Sequence, residues 1–360
     1  MPRGGPSIEQ APTVAHFVWL SAPQGGRILP RGGPSAKHPL RARAQCGAAI
    51  LTAMLVVTLV ATLAAAALWQ QWRSVEVETA QRARVQSGWI LVGALDWARL
   101  ILREDARPGG ADHLAEPWAV PLQEARLATF FAAGTTADTS LEDVQQSFIS
   151  GQMADLQGRL NVRNLVEQGK VSPIALRQFA RLFALLGLPE GEVARLAENL
   201  RLALDNTDES RLVASTPLLP QRVEQLGWLG LSPASVTLLS PYVTILPQPT
   251  TVNLNTAPAE VIFASIDQPD MALARRLVTA RALSHFRNLA EAARLLGDVP
   301  GQIVQERHSV SSRYFEVSGR LRLGDVTVLE RSLVVRDGSE VKVLWRERSA
   351  GAVAPRASVQ

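Results

Sequence analysis

The longest apolar run of the chain lies near its N-terminus. Residues 48–68 carry no charge, and a helix of that length spans about 30 Å, the thickness of one hydrocarbon core. Arg41 and Arg43 precede the run, whereas Glu76 and Glu78 follow it. Because basic residues stay on the cytoplasmic side, the pattern predicts one membrane crossing with the N-terminus inside and everything after the crossing outside.

Helical patterning continues beyond the apolar run. Residues 69–104 contain no proline, and a Pro-Gly-Gly sequence at 108–110 ends the pattern. Four apolar residues in this part are spaced as one face of a helix would be: Val85, Trp89, Val92 and Leu95. The sequence therefore predicts one long helix over 48–105, transmembrane in its first part and amphipathic in its second.

The hydrophobic period changes after the long helix. Residues 106–163 have mixed patterning, in which 148–151 and 153–162 alternate as the two strands of a hairpin. Residues 164–305 are mostly helical in pattern, with breaks at proline and glycine. Three strands with a period of two are predicted after that block: 314–323, 326–335 and 341–345.

This order of elements predicts an α+β protein. Strands on either side of the helical block at 164–305 would form one antiparallel sheet, so the block is an all-helical insertion. The amphipathic part of the long helix, around Trp89 and Leu95, is expected to pack on that sheet. Residues 306–348 would supply the C-terminal strands, and 349–360 would be a disordered tail.

The net charge of +4 is concentrated at the start of the chain. Residues 1–47 hold six Lys and Arg against Glu9, a net +5, which leaves −1 for the remaining residues. A body of that charge is a poor match for the phosphates of a nucleic acid. The single cysteine, Cys46, excludes a disulfide scaffold and a cysteine-based zinc site.

No motif of a catalytic site is found in the sequence. There is no G-x-S-x-G, no Gly-rich phosphate loop and no H-E-x-x-H. Three histidines lie in separate predicted elements without an assignable acid partner: His113, His285 and His308. Asp155, Gln157 and Arg159 alternate as the solvated face of a strand would. The sequence therefore predicts no enzymatic activity.

Gly47 lies directly before the apolar run, at its cytoplasmic border. A protease that cuts between Gly47 and Ala48 would remove a charged leader, residues 1–47, and keep the whole apolar helix. Two other interpretations stay open, an uncleaved signal anchor and a secretory signal cleaved at 65–67. A translation start just upstream of Arg41 would also fit the irregular, Pro- and Gly-rich first residues.

Three stretches of the sequence belong together. Residues 45–52 place a glycine before an apolar helix. Residues 149–165 contain D-L-Q-G-R-L-N-V, and 241–261 contain V-N-L-N-T-A-P-A-E-V. In this combination the chain resembles the K-type minor pseudopilins of the type II secretion system, the general secretion pathway protein K family, over most of 41–345.

The resemblance implies a pilin-like fold and an architectural function. Such a chain is cut by the prepilin peptidase, here at Gly47–Ala48, and it starts and caps a pseudopilus that exports folded proteins across the outer membrane. Most pilin-like subunits carry a glutamate five residues after the cut, whereas here that residue is Thr52. The implied partners are I-, J- and H-type minor pseudopilins and the major pseudopilin, in the inner membrane.

The resemblance also implies calcium near an acidic loop of the inserted domain. The matching stretch here offers carboxylate and amide oxygens, which calcium prefers as ligands: Asp205, Asn206, Asp208 and Glu209. The longer acidic segment that usually follows is absent from 210–220. A solvated loop that caps a helix is the alternative interpretation.

A membrane-anchored helix-hairpin-helix DNA-binding protein is the alternative function. Residues 252–257, followed by a helix, resemble the opening of such a module. The glycine hairpin whose amides would face phosphate is absent, and 266–270 carries two carboxylates instead. Four arginines form a basic cluster that is interpreted as a solvated or protein-contacting face: Arg275, Arg276, Arg281 and Arg287. A nucleic-acid partner is therefore not expected.

Overall fold

The long helix predicted over 48–105 is confirmed. A computed structural model describes residues 46–127, 147–205, 216–297, 302–324 and 326–351. Helix α1 spans Cys46–Ala106. The chain divides into two units, residues 1–68 and 69–360. In the first unit the side chains of α1 are exposed from Ala48 onward, and this part is apolar and long enough to cross a membrane.

In the second unit α1 buries one face. The buried residues are spaced at helical intervals: Leu91, Leu95, Ala98 and Leu102. Trp89, which was expected to pack on the sheet, is 73% exposed and lies on the opposite side of the helix. That expectation was wrong because α1 carries apolar residues on both sides, so the period alone could not tell which side meets the sheet.

Five antiparallel strands form the sheet beneath α1. In spatial order they are β1 (Leu122–Arg126), β2 (Ser147–Asp155), β9 (Tyr314–Leu323), β10 (Val326–Asp337) and β11 (Glu340–Ala350). β2 pairs with β9 along its whole length, from Ser147 opposite Leu323 to Asp155 opposite Phe315. The sheet is therefore closed by strands from both sides of the insertion, which confirms the α+β class.

The hairpin predicted within 148–162 is wrong. β2 is a single strand, and Gly151, which suggested a turn, lies inside it opposite Gly319 of β9. A Cβ atom on Gly151 would lie 3.0 Å from the carbonyl oxygen of Ser318, so the close approach of the two strands explains the glycine.

Two further differences concern the edges of the sheet. The edge strand β1 was not predicted, since only a loop and a short helix were expected there. At the other edge β11 continues to Ala350, so the predicted tail cannot begin at residue 349. Residues 352–360 lie outside the described part of the chain.

The insertion is built from short helices. After the first of the paired strands come α2 (Pro173–Leu185), α3 (Glu190–Leu204), a 3₁₀ helix at Val223–Leu229, α4 (Pro233–Leu239), α5 (Ala259–Ser265), α6 (Met271–Leu283) and α7 (Leu289–Leu295). Their buried apolar faces share one core, which includes Phe179, Phe183, Leu196, Leu229 and Ile262. This core is separate from the clusters beneath α1.

The description of the insertion as all-helical needs a correction. Short strands pair in three places: β3 (Leu160–Asn161) with β6 (Val243–Thr244), β4 (Val166–Glu167) with β5 (Lys170–Val171), and β7 (Val252–Asn253) with β8 (His308–Ser309). The first and third pairs are parallel, and they join segments at the entry and exit of the helical block. Two-residue strands carry too few positions to show a period of two.

Polar contacts fix α1 to β11 along the sheet edge. Arg99 donates to the carbonyl oxygen of Val341 from Nε at 3.0 Å and from Nη2 at 2.8 Å. Arg348 donates from Nη2 to the carbonyl oxygen of Gly88 at 3.1 Å, and its Nε lies 2.5 Å from a carboxylate oxygen of Glu330. These contacts set the position of α1 on the sheet.

Candidate functional site

The predicted cleavage position lies in the first turn of α1. The helix begins at Cys46, so the Gly47–Ala48 bond falls among residues whose backbone N–H groups have no partner within the helix. This turn unwinds more easily than any interior turn of α1, which suits attack by a peptidase. Cleavage at Gly47–Ala48 stays a prediction.

Thr52 lies one turn after Ala48 on the exposed helix. Its hydroxyl donates to the backbone, with Oγ1 3.0 Å from the carbonyl oxygen of Ala48 and 2.9 Å from that of Ala49. Thr58 and Thr62 make the same kind of contact with preceding carbonyl groups, each at 2.9 Å. The hydroxyl groups of the apolar segment are therefore satisfied inside α1, and none needs a polar partner from outside.

The side of α1 that faces away from the sheet carries exposed apolar residues. We call them the outer stripe of α1: Val85, Trp89, Trp97 and Leu100, with exposures of 60%, 73%, 45% and 41%. At about 100° per residue they lie opposite Leu91 and Leu95. Exposed indole rings in a row on a packed helix are typical of a surface that meets another protein.

The predicted calcium site cannot be assembled from the described residues. Asp205 ends α3, and its backbone N–H donates to the carbonyl oxygen of Arg201 at 3.1 Å. Asn206, Asp208 and Glu209 lie outside the described residues. Calcium binding at this loop stays a prediction.

A different group of acidic residues, which the sequence did not single out, lies where α1 ends. One carboxylate oxygen from each of Asp105, Asp112 and Glu116 lies within 4.8 Å of the others. Arg336 of β10 pairs with Asp105 at 2.8 Å and also with Asp112, and burial raises the pKa of Asp105 and of Glu116. The buried guanidinium already supplies the positive charge that these carboxylates need. The run of acids from 104 to 116 was the available sequence signal.

Asp155 is buried at the junction of the sheet and the insertion, which corrects its assignment to a solvated face. One carboxylate oxygen accepts from Asn253 at 3.1 Å, Thr256 at 2.6 Å and Ser312 at 2.6 Å. The other accepts from the backbone N–H of Gln157 at 2.7 Å. Burial raises the pKa of Asp155, and these hydrogen bonds oppose the rise. We call this group the Asp155 hub; it joins β2, β7 and the segment before β9.

The stretch that suggested helix-hairpin-helix binding forms α5 and α6, which pack together. The loop between them is engaged by other parts of the chain. Arg181 donates to the carbonyl groups of Ala264 and Ile266, and Asp267 forms a two-point ion pair with Arg307 at 2.7 and 2.9 Å. A loop that presents carbonyl groups and a carboxylate does not match phosphate.

The basic cluster proposed beside this hairpin is partly dissolved by the structure. Arg281 points inward and donates to the carbonyl oxygen of Leu254 at 2.5 Å, and burial lowers the pKa of Arg281 to about 10. Arg287 pairs with Glu291 at 3.0 Å. Two of the four arginines are therefore used within the insertion.

The histidines are not isolated, contrary to the sequence prediction. The rings of His113 and His285 stack with their centroids 3.8 Å apart, and Nε2 of His113 lies 3.9 Å from a carboxylate oxygen of Glu116. Nδ1 of His113 accepts from the backbone N–H of Ala115 at 3.2 Å. His308 is buried, its Nε2 lies 3.1 Å from Oγ of Ser265, and burial lowers the pKa of His308 to about 4.

Comparisons with known proteins agree with this architecture. Two family models described as Type II secretion system (T2SS), protein K match residues 158–248 and 252–311. The type II secretion system protein K of Pseudomonas aeruginosa is 28% identical over 336 residues, covering 86% of this chain and 94% of that protein. Its counterpart from Pectobacterium carotovorum is 26% identical over 338 residues, covering 84% and 96%.

A solved structure has the same fold. The chain resembles one in a structure described as the GspK-GspI-GspJ complex from the enterotoxigenic Escherichia coli type 2 secretion system. The TM-score is 0.58 at 20% identity, and the match covers 78% of this chain and 100% of the other.

An apolar N-terminal helix on an antiparallel sheet, with a helical insertion before the last three strands, defines a pilin-like α+β protein with one candidate membrane anchor. Within that class, the matched segments identify the family. The chain belongs to the type II secretion system protein K family. This membership supports a role as a minor pseudopilin.

Proposed function

We propose that this chain is the minor pseudopilin at the tip of the type II secretion pseudopilus. There it would start assembly, and then cap the fibre that drives folded proteins through the outer membrane. The function is mechanical, and the chain's encounter with an enzyme is as a substrate of the prepilin peptidase. The observation that carries the proposal is the state of Thr52.

Thr52 occupies the place of the glutamate that most pilin-like subunits carry. That carboxylate neutralises the N-terminal amine of a neighbouring subunit inside the apolar fibre core, where an unpaired charge is costly. The Thr52 hydroxyl is neutral and is satisfied by its own helix at 3.0 and 2.9 Å. A subunit of this kind needs no neighbour above it, which suits the end of a fibre.

The outer stripe of α1 supports helix-to-helix assembly. Trp89 and Trp97 remain exposed on the packed part of α1, on the side away from the sheet. Small residues in the apolar part, such as Ala61, Ala64 and Ala65, permit close approach of neighbouring helices in the membrane. We infer that I-, J- and H-type minor pseudopilins and the major pseudopilin are the partners. The related Escherichia coli complex contains K with I and J.

The charge pattern supports one topology. Arg41 and Arg43 precede the apolar segment and hold the N-terminus in the cytoplasm. We infer that the chain crosses the inner membrane once and that the sheet and the insertion lie in the periplasm. Removal of residues 1–47 at Gly47–Ala48 would leave a body without cysteine, which suits an oxidising compartment.

The N-terminus of the protein isolated from host membranes tests the processing step. N-terminal sequencing should find a chain that starts at Ala48, and this species should be missing when the prepilin peptidase gene is deleted. A start after Ala67, or an uncut chain in both strains, would contradict processing as a pseudopilin. The helix-hairpin-helix alternative would then be tested by DNA binding across a salt series.

A further inference from the structure

An apolar cavity of about 260 Å³ lies between α1 and the sheet. On the helix side it is lined by Leu91, Leu95 and Ala98, and on the sheet side by Met153 and Val317. The Asp155 hub and the acidic group at the end of α1 do not line it. The cavity is therefore distinct from the polar groups described above.

Two glycines explain why the space exists. Gly151 and Gly319 face each other on β2 and β9, at the centre of the sheet beneath α1. Leu91 fills part of the notch, since its Cδ2 lies 3.3 Å from the point where a Cβ on Gly319 would be. The neighbouring positions of the helix are small, with Ala94 and Ala98 over the sheet, so the rest of the notch stays open.

One end of the cavity is polar. Ser332 of β10 is 1% exposed, and its Oγ has no hydrogen-bond partner among the described residues. A buried hydroxyl without a partner costs about 1–3 kcal/mol, so this group favours any ligand that supplies one. Glu330, two residues earlier on the same face of β10, is 4% exposed and also lines the cavity. Both groups accept hydrogen bonds, and the carboxylate opposes an anion.

The cavity is reached from solvent beside the outer stripe. Trp97 and Val120 line it and are 45% and 65% exposed. The deeper walls belong to α1 and the sheet together, so the space lies between two layers of the fold. A side chain from another protein would meet this rim first, whereas a small free molecule can enter the interlayer space.

We propose that this cavity binds a free, neutral, bicyclic aromatic molecule that carries one N–H or O–H donor. A cavity of about 150 Å³ lined by Leu, Ile and Phe is known to hold benzene, and a volume of about 260 Å³ has room for a second fused ring. The donor would bond to Ser332 Oγ while the rings contact Leu91, Leu95 and Val317. Indole is the simplest molecule with this shape and this single donor.

Calorimetric titration of the full chain in phospholipid nanodiscs with indole tests the proposal, with empty nanodiscs as the reference for partitioning into lipid. We expect one saturable site. Indene, which has the same shape without the N–H, should bind about 2- to 10-fold more weakly, the worth of one neutral hydrogen bond. Indole-3-carboxylate should not bind, because its charge would face Glu330. The absence of a saturable site for indole would overturn the proposal.

Two variants locate the site. Ala98→Leu fills the cavity and should weaken indole binding at least ~10-fold. Ser332→Ala removes the hydroxyl but no packing, so it should fold normally and bind indole and indene equally. Ser349→Ala, at an exposed position on β11, is the matched control and should keep the wild-type preference. Unchanged indole affinity in Ala98→Leu, or an unchanged preference in Ser332→Ala, would show that indole binds elsewhere.

Discussion

At the scale of single residues, Thr52 carries most of the functional argument. Its side chain is small, neutral and bonded to the carbonyl groups of its own helix. The sequence could identify this residue only by counting from Gly47, since nothing in its local pattern distinguishes it from Thr58. The structure adds that its hydroxyl is already satisfied, so the position makes no polar demand on a neighbour.

Substitution of Thr52 separates the two interpretations of this position. Thr52→Val keeps the shape and should leave secretion within twofold of wild type. Thr52→Glu places a carboxylate in the apolar segment, at a cost of several kcal/mol unless a neighbour's amine meets it, so secretion should fall several-fold. Secretion assays in a strain that lacks the native gene measure both. Wild-type secretion by Thr52→Glu would contradict a terminal position.

His308 provides a test of the insertion by pH. Burial lowers the pKa of His308 from 6.5 to about 4, so the unfolded chain binds more protons between these values. The free energy of unfolding should therefore be highest above pH 6.5 and should lose about 3 kcal/mol from this residue as the pH falls to 4. The difference between wild type and His308→Gln in urea unfolding isolates that loss from other titrating groups.

Ser265→Ala is the control for the His308 experiment. It removes the hydroxyl beside Nε2 but leaves the ring buried, so it should lower stability while keeping the pH dependence. If His308→Gln shows the same slope between pH 6.5 and 4 as wild type, the ring is not buried as the structure describes.

At the scale of elements, α1 shows where periodicity stops being informative. Its period predicted a helix, and its length set the membrane crossing. The period could not identify the buried side, because Trp89 and Leu91 are both apolar and only one of them meets the sheet. The same limit applies to β2, where Gly151 suggested a turn until its partner, Gly319, was known.

The two sides of α1 should respond differently to truncation. Leu95 is 5% exposed among apolar neighbours, so Leu95→Ala should cost about 2–5 kcal/mol of unfolding free energy. Trp89→Ala should change stability by less than about 0.5 kcal/mol, since the ring is 73% exposed, yet it should weaken binding to I- and J-type pseudopilins. Chemical unfolding and co-purification from membranes measure the two effects. Trp89→Ala with wild-type co-purification would remove the outer stripe from the interface.

At the scale of the whole molecule, the sequence predicted the order of the parts better than their connections. The three C-terminal strands and the helical block were visible because each is a continuous run with its own period. The Asp155 hub was not, since Asp155, Asn253 and Ser312 come from distant positions and each is unremarkable locally. Parallel strand pairs such as β7 with β8 were missed for the same reason.

The hub predicts how sheet and insertion are joined. Asn253 donates to Asp155, Ser312 and the carbonyl oxygen of Asp112, so Asn253→Ala leaves the buried Asp155 carboxylate short of a donor. We expect a loss of about 2–4 kcal/mol and faster amide hydrogen exchange in β7 and β8. Asn288→Ala, which removes only the cap of α7, is the control and should cost about 1 kcal/mol. Unchanged exchange in β7 would contradict a joining role for the hub.

The central claim is that this chain lies at the end of the pseudopilus, and its position on the fibre tests that claim most directly. Pseudopili would be sheared from cells that overproduce the major pseudopilin and labelled with gold-conjugated antibody against the periplasmic part of this chain. Gold at one end of each fibre, with none along its length, is the expected result. Label distributed along the fibre would contradict the account.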